Sequence, residues 1–155
     1  MMCTINADQH QQTEDQNTAL IKQHSPLTAG IHHVGLTTNK LEETANFFTK
    51  GLGWKEVNRN DAYPAIFVSD GAIMLTLWAS QSSPTVAFNR KSNIGLHHLA
   101  LAVKSDALLT EIHTRLSDAG VLIEFEPEPL KSGPAKHMMC YEPGGIRIEF
   151  TWSGA

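Results

Sequence analysis

The sequence is short of several things, and each shortage closes off a class of protein. Two cysteines in 155 residues, Cys3 and Cys140, make no disulfide framework, and their spacing fits no zinc motif. No run of five or six like charges occurs. The 12 Lys and Arg are outnumbered by 16 Asp and Glu, so the basic stripe of a nucleic-acid binder is missing. The most apolar stretches, such as Gly71–Ala79, fall far below the ~18 residues of a membrane span. No basic segment leads into an apolar one at the start, as a secretory signal requires. Residues 1–30 hold five Gln and no Phe, Trp or Tyr. Such a segment buries too little apolar surface to offset chain entropy, so a disordered tail is expected there, with His10 and His24 solvated. The remainder, about 31–152, is one domain's worth of chain and long enough for a core without staples. The expectation is a soluble, reduced, cytoplasmic protein that engages neither nucleic acid nor membrane.

What is present is a repeat. Ile31-His32-His33-Val34-Gly35-Leu36 and Leu96-His97-His98-Leu99-Ala100-Leu101 align at an offset of 65 residues. A helical stripe follows each: Leu41, Ala45, Phe48 and Leu52 in the first half, Leu108, Ile112, Leu116 and Ala119 in the second. Asn39 with Glu42 reads as a capping box for the first helix, and Ser105 or Asp106 as the cap of the second. Three strand-like runs then come in each half, at 54–58, 65–69 and 73–78, and at 122–126, 136–141 and 146–152. Ser80–Asn93, carrying Ser, Gln, Pro and Asn, reads as the linker. The spacing predicts an α+β chain built from two βαβββ modules, at about 31–79 and 95–152.

Alternation along the strands separates two kinds of face. Val34 and Leu36 oppose His33, Gly35 and Thr37, while Leu99, Leu101 and Val103 oppose His98, Ala100 and Ala102. Each first strand therefore pairs a bulky apolar face with one bearing a histidine among small residues. In the last strand Arg147, Glu149 and Thr151 share the polar side. A single strand histidine is usually a hydrogen-bonded structural residue, but the matched pair argues otherwise. Two imidazoles and a carboxylate facing one cavity form a 2-His-1-carboxylate set, which binds a divalent cation and leaves positions open for substrate. The parity favours His33 and His98 over their neighbours His32 and His97, which share the faces of Val34 and Leu99.

At these residues the sequence resembles the vicinal oxygen chelate superfamily. That group includes glyoxalase I, fosfomycin-resistance proteins, methylmalonyl-CoA epimerase, extradiol dioxygenases and bleomycin-resistance proteins. The matching pieces are His33-Val34-Gly35-Leu36, Phe47-Phe48 with Leu52-Gly53-Trp54, His98-Leu99-Ala100-Leu101, and Glu142-Pro143-Gly144-Gly145-Ile146-Arg147-Ile148-Glu149-Phe150. The resemblance implies an open, cupped eight-stranded sheet around one divalent metal per chain, Fe(II), Mn(II), Zn or Ni. It places the family's four ligand positions on His33, Thr76, His98 and Glu149. Thr76 departs from the glyoxalase I pattern, where a carboxylate serves in proton transfer; a hydroxyl is a poor ligand and no carboxylate base. The implied ligands are thus His33, His98 and Glu149. The implied function is a metalloenzyme chelating a small oxygen-rich substrate, like the dioxygenase or fosfomycin-resistance branches. A glyoxalase I-like lyase or isomerase and a metal-free binder of the bleomycin-resistance kind are the alternatives. His137 and Tyr141 are candidate acid/base residues, and Arg59, Tyr63, Arg147 and Thr76 candidate substrate contacts. A homodimer is expected, since open sheet edges need covering and the family often pairs modules across chains.

Overall fold

The computed structural model describes residues 26–155, so most of the expected tail at 1–30 lies outside the described residues. Among the described residues eight strands form, four in each module. They are β1 (His33–Thr38), β2 (Lys55–Asn60), β3 (Ala65–Ser69), β4 (Met74–Ala79), β5 (Leu99–Ala102), β6 (Leu122–Pro129), β7 (Lys136–Tyr141) and β8 (Arg147–Trp152). They make two open four-stranded sheets, ordered β1-β4-β3-β2 and β5-β8-β7-β6. In each, the first strand of the module runs parallel to the last, and the other neighbours are antiparallel. The module-to-module repeat read from the histidine strands is therefore a repeat of topology.

Each module has its helix between the first two strands. In the second, α2 (Asp106–Asp118) is capped as expected, the Ser105 hydroxyl accepting from Leu108 N at 3.2 Å. The first departs from expectation. Its α1 (Leu41–Asn46) follows Lys40 without a side-chain cap and runs into a π-helical turn, Phe47–Gly51. Asn39 does not cap: its amide donates instead to Thr85 Oγ1 at 3.2 Å in the linker. The neighbouring Thr38 hydroxyl accepts from Lys40 N, so the local backbone demand is met one residue earlier.

The apolar strand faces pack into one core. Leu36, Ile66, Val68, Leu75 and Leu77 of the first sheet join Met138, Cys140, Ile148 and Phe150 of the second, with Phe48, Leu109 and Leu116 from the helical segments. Burial of this kind contributes roughly 25 cal/mol per Å² of apolar surface. Cys140 is fully buried within it, and that burial pushes its thiol up to about 12, so it is inert as a nucleophile. A polar tie joins the modules inside the core. Glu142, 2% exposed, accepts from Thr44 Oγ1 at 2.7 Å and from the backbone N–H groups of Gly144 and Ile146 at 2.8 Å each. These donors compensate the burial of a carboxylate, which alone would be costly. A Cβ on Gly144 would lie 2.3 Å from Thr38 Oγ1, so the turn after Glu142 has no space for a side chain.

Candidate functional site

The opposite face of each sheet is open, and strand register says what lies on it. In the second sheet Ala100, Glu149 and Met139 form one row across β5, β8 and β7; Ala102, Thr151 and His137 form the next. His98 immediately precedes β5. Its Nε2 lies 3.1 Å from Glu149 Oε2. The other carboxylate oxygen, Oε1, is 2.6 Å from His137 Nδ1. The His137 ring stacks at 4.9 Å on Phe125, and its Nε2 lies 3.8 Å from Glu128 Oε1. Glu149 is thus held from two sides by imidazoles carried on β5's approach and on β7. Neither Glu128 nor the Phe125 contact was anticipated from sequence, because β6 changes register twice along its length.

In the first sheet the open-face row is Gly35, Thr76 and Phe67, followed by Thr37, Trp78 and Ala65. His33 opens β1 and is exposed, its Nδ1 2.9 Å from that of His32. The same adjacent-ring contact recurs between His97 and His98 at 2.9 Å, so both halves retain a matched pair of imidazoles. Thr76, 3% exposed, accepts from the Trp78 indole Nε1 at 3.0 Å. Tyr63 and Phe67 pack on Trp78 at 5.3 and 5.8 Å between ring centroids. This aromatic wall stands on the open face because Trp78 shares the parity of Thr76.

The remaining predicted residues sort into two places. Arg59, on β2, is engaged by Glu42 and by Glu56, the latter at 2.9 Å, and is not brought to Glu149. Arg147 lies two residues before Glu149 on β8 and forms a two-point pair with Glu124, Nε–Oε2 2.7 Å and Nη2–Oε1 2.8 Å. Tyr141 donates its hydroxyl to Glu124 Oε2 at 2.6 Å, and this bond raises the phenol above its ordinary range. The Arg147 fork, ahead of Tyr141 and Arg90, holds the Glu124 carboxyl down at about 2.

The donor chemistry suits a divalent ion. Two ligands at right angles with bonds of about 2.1 Å stand about 3 Å apart, close to the separation of His98 Nε2 and Glu149 Oε2. His137, 2.6 Å behind the other oxygen, stands where a supporting residue would orient that carboxylate were it to hold an ion. Among the described residues no three His, Cys, Asp or Glu side chains gather around one point as a metal-holding group. His33, in the other sheet, is not brought to His98 and Glu149 within the chain. Nor do the described residues include a helix long and apolar enough to cross a membrane.

Comparison with known proteins places the fold. A domain from Frankia sp. EAN1pec described as glyoxylase/bleomycin resistance protein/dioxygenase is 24% identical, with a TM-score of 0.72 over 81% of this chain and 92% of that one. Lactoylglutathione lyase from Agrobacterium tumefaciens superimposes with a TM-score of 0.65 at 19% identity, covering 83% and 97%. The fosfomycin resistance protein FosX from Listeria monocytogenes gives 0.66 at 17% identity, covering 82% and 95%. No curated protein matches the chain. At these identities the solved structures establish the fold, while residues 30–150 match the family model itself. With the duplicated topology and that match together, the chain belongs to the Glyoxalase/Bleomycin resistance protein/Dioxygenase superfamily.

Proposed function

We propose that the chain is a divalent-metal-dependent enzyme acting on a small oxygen-rich substrate, with His33, His98 and Glu149 as ligands and His33 supplied by a second copy in a homodimer. The observation that carries this reading is the His98 Nε2–Glu149 Oε2 approach of 3.1 Å on an open face, with His137 behind the carboxylate. Exposure of His33 away from that cluster is what a shared site across two chains requires.

A bound metal supplies Lewis acidity, stabilising negative charge that develops on substrate oxygens. Everything else falls to the chain. His137 is a positioning residue: its Nδ1–H donates to Glu149 Oε1 and its Nε2 turns toward Glu128, so the carboxylate keeps one oxygen free on the His98 side. Ala100 and Ala102 beside this cluster leave space for substrate. Trp78, Phe67 and Tyr63 on the first module's open face offer a flat apolar wall and an indole edge, which favours a substrate with a planar or aromatic body. Thr76, its hydroxyl engaged by Trp78, carries no proton-transfer chemistry of the glyoxalase I kind.

Anaerobic reconstitution followed by elemental analysis tests the assignment. One divalent ion per chain is expected for the unaltered protein and none for His33→Ala, His98→Ala or Glu149→Ala. His137→Gln should keep the ion with affinity lowered ~10–100-fold. Full occupancy in all three ligand variants would refute the site, and a metal-free protein that binds ligand tightly would favour simple sequestration.

A further inference from the structure

Beside the Glu149 cluster lies a cavity of about 670 Å³ whose walls include Phe88, Asn89, Arg90 and Lys91 of the linker with Tyr141 and Arg147 of the sheet. It contains three basic side chains against one acid, Glu124, in a chain whose overall charge is −4. Glu124 is already committed: it accepts short bonds from Arg147 and Tyr141, and Arg90 Nη2 donates a single longer one of 3.3 Å. Arg90 lines the cavity with its side chain 18% exposed, and its Nη2 bond to Glu124 is its one side-chain hydrogen bond among the described residues. The remaining Nη donors are left for an occupant of the cavity, and a charge-assisted bond to an anion is the strongest partner open to them. The site is also fixed in place. The Arg90–Glu124 contact pins the linker to β6, and the Glu124–Arg147 fork fixes that guanidinium to the sheet.

We propose that this cavity is an oxyanion subsite that takes a carboxylate arm of a small molecule, with Arg90 as its principal donor and Lys91 and Arg147 adding charge. Arg147 and Glu149 are two residues apart on one face of β8, hence about 7 Å apart along the strand. A carboxylate held here leaves the rest of a small molecule lying toward Glu149 and His98. That last step, which makes the occupant the substrate, rests on the proposed metal site; the anion site itself does not.

The test uses metal-free full-length protein, so that its result is independent of metal binding. Phenylacetate is titrated at constant ionic strength while the arginine side-chain Nε–Hε resonances are followed by NMR, with 2-phenylacetamide as the neutral control. Saturable shifts of the Arg90 and Arg147 resonances with the acid, and none with the amide, are expected. Arg90→Gln should weaken phenylacetate binding about ten-fold or more, the loss expected for one charge-assisted hydrogen bond. Lys91→Gln, at an exposed position, should weaken it less. No saturable shift in the unaltered protein, equal binding of the amide, or unchanged affinity in Arg90→Gln would overturn the proposal. Loss of metal binding with the phenylacetate response intact would instead remove only the link to Glu149.

Discussion

The two modules have the same topology and opposite chemistry, and their registers allow a position-by-position comparison. Gly35 faces Thr76 in the first sheet, where Ala100 faces Glu149 in the second. One row on, Ala65 and Trp78 stand where the second module has His137 and Thr151. One row back, Ser69 and Met74 correspond to Tyr141 and Arg147. Each polar or charged group of the second open face is thus matched by a small, apolar or aromatic one in the first, apart from the histidine that precedes or opens β5 and β1. The duplicated scaffold has divided its labour. One half presents acid, base and charge; the other presents a histidine and an aromatic wall. Neither half alone makes a cup with both chemistry and an apolar floor, which is a physical reason for the fold to keep two copies.

The comparison breaks most visibly at the matched pair Thr76 and Glu149. Glu149→Gln removes a charged ligand from the proposed centre and should lower divalent-metal affinity more than 100-fold, beyond the ~10–100-fold typical of a supporting residue. Thr76→Ala, at the equivalent point of the other sheet, should change affinity by no more than a few-fold. Competition with a chromogenic chelator measures both. Equal losses would mean that the two faces contribute alike and that the division of labour is wrong.

Much of this was legible in the sequence because alternation is a geometric property of strands. The sides assigned to His33, Gly35 and Thr37, and to Arg147, Glu149 and Thr151, are those seen in the structure, since β1 and β8 keep unbroken register with their neighbours. Where register breaks, alternation misleads. Period two groups Phe125 with Ile123, whose partner Cys140 is in the core, but the shift between them pairs Phe125 with Met139 on the open face, where it meets His137. Arg90 was invisible for a different reason: a linker has no periodicity, so nothing in it says which way a side chain points. Trp78 was legible by parity, yet an apolar residue is assigned to the core by default. Asn39 had a sound capping pattern that a tertiary contact to Thr85 outweighed.

Gly35 and its counterpart Ala100 give a smaller but sharper contrast. A Cβ at Gly35 would stand 3.2 Å from Thr76 Oγ1 and 3.7 Å from Trp78 Nε1, tight contacts that press on the bond between those two side chains. Gly35→Ala should therefore gain from lower chain entropy but lose more by displacing the indole, a net cost of about 1 kcal/mol. Chemical denaturation reads the stability and Trp78 fluorescence the displacement. In the other sheet Ala100 already carries that Cβ beside Glu149, with no indole to displace. If Gly35→Ala were stabilising with unchanged fluorescence, the aromatic wall would be adaptable rather than fixed.

The smallest effect concerns the charge beside the second module's open face. The Glu124 carboxyl sits at about 2 in the folded protein, chiefly through the Arg147 hydrogen bonds, against an ordinary value of 4.5. A depressed folded value means that the unfolded chain takes up the proton first as pH falls. The stabilisation is therefore complete above about 4.5, declines between 4.5 and 2, and is gone below 2. Its size is limited, because Glu124 and its partners lie partly in contact with water, where ion pairs contribute ~0–1 kcal/mol. Glu124→Gln should flatten the stability profile over that acid window while changing stability at neutral pH by about the same small amount. Urea unfolding at pH 3 and pH 7, compared between the two proteins, isolates the difference; an identical slope would mean that Arg147 is held by the sheet and not by its carboxylate.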